Sequence, residues 1–185
     1  MLQKNIYFTE LCRKYEIMLK IITSMSQLNT DQLMAVYVES NRENAEEFFS
    51  DLNAEAQTEM AEREFLDYLR EDFFSQKGAF YAVWVEDGAY KAALRLEPYK
   101  DGYLIEALET APDERRKGYA SKLITEVLPF LRSKNIGKVY SHVGKHNVAS
   151  LRVHIKCGFQ RTAESATYID GTVTQNSCTL SCILI

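Results

Sequence analysis

The sequence predicts an α/β (α+β) fold: a mixed, mainly antiparallel sheet of about seven strands flanked by four helices. Three observations carry this expectation. Strand-like runs meet at Asp87-Gly88 and Asp170-Gly171, a dipeptide that favours tight hairpin turns. One strand–helix–strand passage between residues 103 and 143 supplies a single crossover near the centre. Helical apolar stripes before and after the strands provide the faces that a sheet needs to bury its own.

Residues 18–23 (MLKIIT) read as a short buried strand. Asn29 starts a helix, with Gln32 three residues on as its capping-box partner and Leu33, Val36 and Tyr37 as its apolar stripe. A second helical region is expected over residues 43–74, where Phe65, Leu69 and Phe73 recur every four residues beside Leu66. Residues 78–86 and 89–97 form the first hairpin, and residues 103–110 (YLIEALET) a third strand ending before Pro112. A helix over 117–134 places Leu123, Ile124, Val127, Leu128 and Leu131 on one side, and Pro129 is expected to kink it or loosen one turn. A strand at 138–143 and a helix at 148–157 follow, and residues 159–169 and 172–184 close the fold as a hairpin.

Composition limits the function. The 185 residues suit one domain with a full core, and three prolines and eight glycines leave no flexible tract to divide it. Hydrophobic residues at 46% and charged residues at 26% exclude a disordered chain. No apolar run reaches membrane-spanning length, and a net charge of −4 argues against a nucleic-acid partner. Cys12, Cys157, Cys178 and Cys182 lack CxxC spacing; with no secretory signal they read as reduced thiols of a cytoplasmic protein. Neither His142 nor His146 has metal-ligand spacing, so no metal site is expected. Residues 1–17 form an N-terminal extension to a domain spanning 18–185. Leu2, Ile6, Tyr7 and Leu11 give that extension a weak helical stripe, and Met18 is an alternative start.

Charge is unevenly spread. Between Glu39 and Asp72 twelve acidic residues stand against three basic ones, whereas from Asp113 onward eleven basic residues stand against five acidic ones. A dipolar molecule is expected, whose C-terminal half meets an anion and whose N-terminal half meets a cation. The segment 110–121 (TAPDERRKGYAS) gives the first half a physical basis. A strand ends at a proline, and a basic loop opens directly into an amphipathic helix. The first N–H groups of that helix lack intrahelical partners and sit at the positive end of its dipole. Gly118 lets a phosphate approach the backbone, while Arg115, Arg116 and Lys117 add charge for a pyrophosphate.

Arg115-x-x-Gly118-x-Ala120 resembles the Q/R-x-x-G-x-G/A signature of the GNAT superfamily of N-acetyltransferases. Residues 147–159 (NVASLRVHIKCGF) resemble its N-x-x-A/S-x-x-L/V-Y-x-K-x-G-F segment, in the family's order and after a short strand. The element order of residues 18–185 agrees as well. The resemblance implies acetyl-CoA as co-substrate. Its pyrophosphate would lie against Arg115, Arg116, Lys117 and Gly118, with Tyr119, Ala120 and Ser121 opening the helix. Asn147 and Ser150 would line the pantetheine arm. Backbone around Leu108, Glu109 and Thr110, where the family's sheet splays, would receive the thioester.

The resemblance also implies direct attack by a neutral amine. Glu106 is the candidate general base, acting through water, with Glu109 its nearest rival. The family commonly carries a tyrosine near the CoA sulfur as general acid, and His154 stands at that position here. An unperturbed imidazole is mostly neutral at pH 7, so His154 must be held as imidazolium, orient the sulfur, or play no role. That substitution leaves a non-catalytic acyl-CoA-binding module as the alternative to an enzyme. The acidic helical region, including Glu43, Glu46 and Glu47, together with Tyr81, Trp84 and Tyr103, suits a cationic amine of a small molecule or peptide, although each aromatic taken singly reads first as core packing. A homodimer is compatible with the sequence but not specified by it.

Overall fold

The computed structural model describes residues 18–184. The expectations for the 1–17 extension and for Cys12 fall outside this range. Seven strands form one sheet: β1 (Met18–Ile22), β2 (Phe80–Glu86), β3 (Ala89–Tyr99), β4 (Gly102–Thr110), β5 (Lys138–Gly144), β6 (Gln160–Ala163) and β9 (Ser177–Ile183). Their spatial order is β1-β2-β3-β4-β5-β9-β6. Every pairing is antiparallel except β4–β5, which is parallel. The connection between those two strands is the crossover helix α3 (Tyr119–Ser133). Gly102 permits the close start of this parallel pair, since a Cβ there would stand 2.0 Å from the Lys138 carbonyl oxygen.

Helices α1 (Thr30–Phe48) and α2 (Ala54–Glu71) cover one sheet face, and α3 and α4 (Val148–Lys156) the other. Strand alternation sorts the side chains. Tyr81, Val83 and Val85 of β2 pack with Leu33, Val36, Leu69 and Phe73 beneath α1 and α2. Phe80, Ala82 and Trp84 pack with Leu123, Ile124 and Val127 of α3. Leu33, Leu69, Leu94 and Leu123 are fully buried, each contributing about 1.5–3 kcal/mol by leaving water.

Four expectations are modified. The helical region expected over 43–74 is two pieces: α1 continues to Phe48, and α2 begins after Asn53, whose side chain accepts from the Ala56 N–H at 3.1 Å. Asn29 caps α1 as expected, accepting from Gln32 N–H at 3.0 Å. The Gln32 side chain, however, reaches the β2–β3 turn instead, donating to the Gly88 carbonyl and accepting from the Tyr90 N–H. Helix α3 runs unbroken through Pro129. The last hairpin is interrupted: β6 pairs with β9 through a bulge between Arg161 and Ala163 and ends at Ala163 opposite Thr179. Beyond it a small ribbon of β7 (Ala166–Thr167) and β8 (Val173–Thr174) forms around Asp170-Gly171.

Candidate active site

The sheet opens at its centre. Pairing of β4 with β5 stops at Ile105 opposite Ser141, while β5 stays paired with β9 as far as Gly144. Past that point β4 carries a bulge: Arg95 faces Glu106 and Ala93 faces Glu109, so three steps on β4 match two on β3. Ala107 takes up the extra length with φ of 47°, a conformation that costs an alanine energy. Its carbonyl is held by the Tyr37 hydroxyl of α1, which donates to it at 2.5 Å. Sequence reasoning saw Tyr37 only as part of an apolar stripe; nothing in its spacing points to this anchor.

One end of the resulting cleft is an anion site. Gly118 is the N-cap of α3 with φ of 86°, and no side chain caps the helix, so its first N–H groups remain available. A cavity of about 580 Å³ is lined by Arg115, Arg116, Gly118, Tyr119, Ala120 and Ser121 on this side. Leu108, Glu109 and Thr110 of β4 line it, as do Asn147 and Ser150 of α4. Lys117 is the exception among the expected cofactor contacts: it is not on the lining, and its ammonium pairs with Glu114 at 2.7 Å. Arg115 is engaged too, by Glu39 of α1 at 2.5 Å and Glu109 at 3.9 Å.

Helix α4 shapes the middle. The Asn147 side-chain oxygen accepts from the Ser150 N–H at 2.9 Å, and its amide NH₂ group is left to donate to a ligand. A second cavity of about 150 Å³ lies between β4 and β5 and shares Leu108, Asn147 and Ser150 with the first. Glu106, His142 and His154 line it, so both candidate catalytic residues border one cavity.

His154 is 1% exposed, with its ring edge-on to Phe159. Burial pushes its pKa down, against the opposing effect of the Ser150 carbonyl. Nδ1–H donates to that carbonyl at 2.8 Å, and Nε2 is buried without a partner among the described residues. The imidazole is therefore favoured neutral, with Nε2 an acceptor only. This electrostatic setting opposes the imidazolium that a general-acid role requires.

Glu106 lies 3.7 Å from the Arg95 guanidinium. Burial pushes its carboxyl pKa up, Arg95 pulls it down, and Glu97 pushes it up again. Burial also raises Glu109, opposed by Arg115. Among the aromatics expected to face the acceptor, only Tyr81 lies on the α1–α2 face. Alternation turns Trp84 toward α3, where its Nε1 donates to Glu86 at 3.4 Å; Tyr103 packs on Phe80, which in turn packs on Phe130, on the same side. Glu43 lines the large cavity, whereas Glu46 and Glu47 are exposed away from it. Arg95 and Glu97 escaped notice, although polar residues at alternate positions of a buried strand are a readable signal.

Comparison with known proteins agrees with this geometry. The acetyltransferase (GNAT) family model matches residues 23–159, well over half the chain. No curated protein matches the sequence. Among solved structures, the PaiA N-acetyltransferase of Thermoplasma acidophilum, in complex with coenzyme A, is 15% identical with a TM-score of 0.60, covering 90% of this chain and 99% of its own. The IAA acetyltransferase of Bacillus cereus is 15% identical with a TM-score of 0.59, covering 91% and 100%. The ribosomal-protein-S18-alanine N-acetyltransferase of Escherichia coli is 16% identical with a TM-score of 0.56, covering 90% and 94%. At such identities these structures establish a shared fold, and the family model adds the lineage: this chain belongs to the GNAT acetyltransferase family.

Proposed function

We propose that the protein transfers an acetyl group from acetyl-CoA to a primary amine by direct attack within the β4–β5 cleft. The observation that carries this reading is the continuity of the cleft, from an uncapped helix start to a half-buried carboxylate. The pyrophosphate would lie on Arg115, Arg116 and the N–H groups following Gly118, where helix dipole and backbone donors coincide. The pantetheine would run between the splayed edge of β4 at Leu108–Thr110 and the Asn147–Ser150 turn. Family membership and the coenzyme A complex of a same-fold protein support this cofactor.

In this reading Glu106 accepts the proton of the incoming ammonium, directly or through one water, and the free amine attacks the thioester carbonyl. Unpaired β4 amides stabilise the oxyanion. The sulfur leaves as a thiolate, tolerable because a thiol ionises near pH 8.5. We assign His154 no proton to give; its buried ring supports the α4 turn beside the sulfur. A small amine and a peptide amine are both compatible with Glu39, Glu43 and Glu109 on the wall.

The test is CoA release from acetyl-CoA against polyamines, aminoglycosides, amino acids and lysine or N-terminal peptides. Turnover with one class supports the enzyme and names its acceptor. Acetyl-CoA binding with no release across every class would instead assign a non-catalytic acyl-CoA-binding module.

A further inference from the structure

Two residues of β4, Ala107 and Leu108, lie opposite the single Leu94 of β3. Beyond this bulge Ala93 faces Glu109, and the Ala111 N–H donates to the Lys91 carbonyl at 3.0 Å. Backbone groups alternate along a strand, so residues 109 and 111 address β3 and Leu108 addresses the opposite side. There β5 has parted from β4, whose last pairing is Ile105 with Ser141. Leu108 accordingly lines both cavities of the cleft.

The other end of the same peptide group is fixed. Every peptide bond among the described residues is trans, so the Ala107 carbonyl points opposite to the Leu108 N–H. That carbonyl accepts from the Tyr37 hydroxyl at 2.5 Å, across seventy residues of chain. Tyr37 is 4% exposed, and the rings of Phe65 and Tyr81 stand edge-on to it at 5.5 and 6.5 Å. Burial raises its pKa, so the hydroxyl keeps its proton well past neutral pH. Ala107 meanwhile holds a φ of 47°, which an alanine adopts where its surroundings impose it. A rigid donor on α1 thus sets the direction of one strained peptide at the mouth of the cleft.

We propose that Tyr37 is a positioning residue for acetyl transfer: its hydroxyl turns the Ala107–Leu108 peptide so that the Leu108 N–H meets the thioester oxygen. The inference rests on the reading that acetyl-CoA lies in the β4–β5 cleft. It narrows the β4 amides to one donor and gives that donor a support outside the sheet. When the amine nitrogen bonds to the carbonyl carbon, the π pair of the C=O bond moves onto oxygen, where the N–H stabilises it. The pair returns as the C–S bond breaks and the sulfur leaves with the bonding electrons. The surplus proton on nitrogen ends, by way of water, on the thiolate. A hydrogen bond to the Ala107 oxygen also polarises the peptide and strengthens its N–H as a donor. Hydroxyl, peptide and thioester form one chain of hydrogen bonds, so a change at one end is felt at the other.

The test is NMR of the full chain, labelled with ¹⁵N and at tyrosine, with CoA and acetyl-CoA as the two probes. The amides of residues 118–121 are expected to respond alike to both, since the pyrophosphate is common to them. The Leu108 amide proton should move downfield with acetyl-CoA alone, and the Tyr37 hydroxyl proton should move with it. In Tyr37→Phe the Leu108 response should vanish while the 118–121 responses and the affinity for CoA persist. General loosening would weaken both sets together. With an amine that turns over, kcat of Tyr37→Phe should fall by about 10²-fold at nearly constant KM for acetyl-CoA, the scale of a small misplacement. A Leu108 amide that answers both probes alike, or keeps its acetyl response in Tyr37→Phe, overturns the proposal. Where that variant fails to fold, an unmoved Tyr37 hydroxyl proton in the wild type overturns it instead. Silence of residues 118–121 toward both probes is the separate failure of the cofactor reading, and this assignment falls with it.

Discussion

On the α3–α4 side of the cleft, what is offered to a ligand is mostly backbone at helix starts: the uncapped turn after Gly118 and the Asn147 cap of α4. On the α1–α2 side it is side chains that meet only across strands, Arg95 with Glu106 and Tyr81. The first side can be built from a few consecutive residues and suits a ligand whose recognised group is a phosphate. The second depends on register over three strands and two helices, and can be re-specified one side chain at a time. That difference is what one expects where a shared co-substrate meets a family-variable acceptor.

Removing the proposed base should separate the two sides most sharply. In Glu106→Gln the acetyl-transfer rate at pH 7 is expected to fall by about 10²–10⁴-fold, the usual worth of a positioned base. Acetyl-CoA affinity should stay unchanged, as calorimetry would read. Because burial raises the Glu106 carboxyl, the wild-type rate should decline with falling pH at values above the ordinary glutamate range. A rate unchanged in this variant between pH 6 and 9 removes Glu106 from the chemistry.

Gly118→Val attacks the other side. No atom lies within 4 Å of the added Cβ, so the substitution acts through backbone strain at φ of 86° and through the space a phosphate would use. Left-handed strain of about 1–2 kcal/mol alone corresponds to roughly tenfold in affinity, or somewhat more. Acetyl-CoA binding should weaken by at least that factor while the titration of Glu106 is untouched. Equal binding in the variant would place the pyrophosphate elsewhere.

How much of each side the sequence revealed follows from the same contrast. Arg115, Gly118 and Ala120, and the Asn147 segment, were legible because helix-start chemistry is local. The bulge at Ala107 was not, because alanine carries no mark of positive φ and its support, Tyr37, comes from seventy residues away. Arg95 and Glu97 required the strand register, and so did the choice between core and acceptor wall for Trp84 and Tyr103, which strand alternation turns to the α3 side. The seven strands and four helices were legible from periodicity, but the break before Asn53 was missed because the apolar stripe of α2 hid a capping residue.

His154 lies at the seam of the two sides and affects stability in a way that its neutral form dictates. Its folded pKa is lowered by burial, so below the ordinary histidine value the unfolded chain binds more protons. The stability it contributes is therefore complete above about pH 6.5 and lost as pH falls from there toward the lowered folded value. His142 is shifted in the same direction, so the wild-type melting temperature should drop on acidification from both rings. His154→Phe should flatten part of that drop and leave turnover near neutral pH within a few-fold. A loss of turnover matching that of Glu106→Gln would restore His154 as a proton donor.

The smallest effect tests whether the two sides are coupled at all. Arg115 is held by Glu39 of α1 before any phosphate arrives, with both side chains about two-fifths exposed. An exposed pair of this kind is worth only about 0.2–1 kcal/mol, because water and salt screen it. Glu39→Gln should therefore raise acetyl-CoA affinity, by about fivefold at most and less at high salt, since Arg115 is released to meet the anion. The same change removes one carboxylate from the acceptor wall and should weaken a cationic amine in the same assay. Opposite movements of the two affinities would identify Glu39 as a residue that both ligands use. Movement of the acetyl-CoA affinity alone would confine it to the pyrophosphate loop.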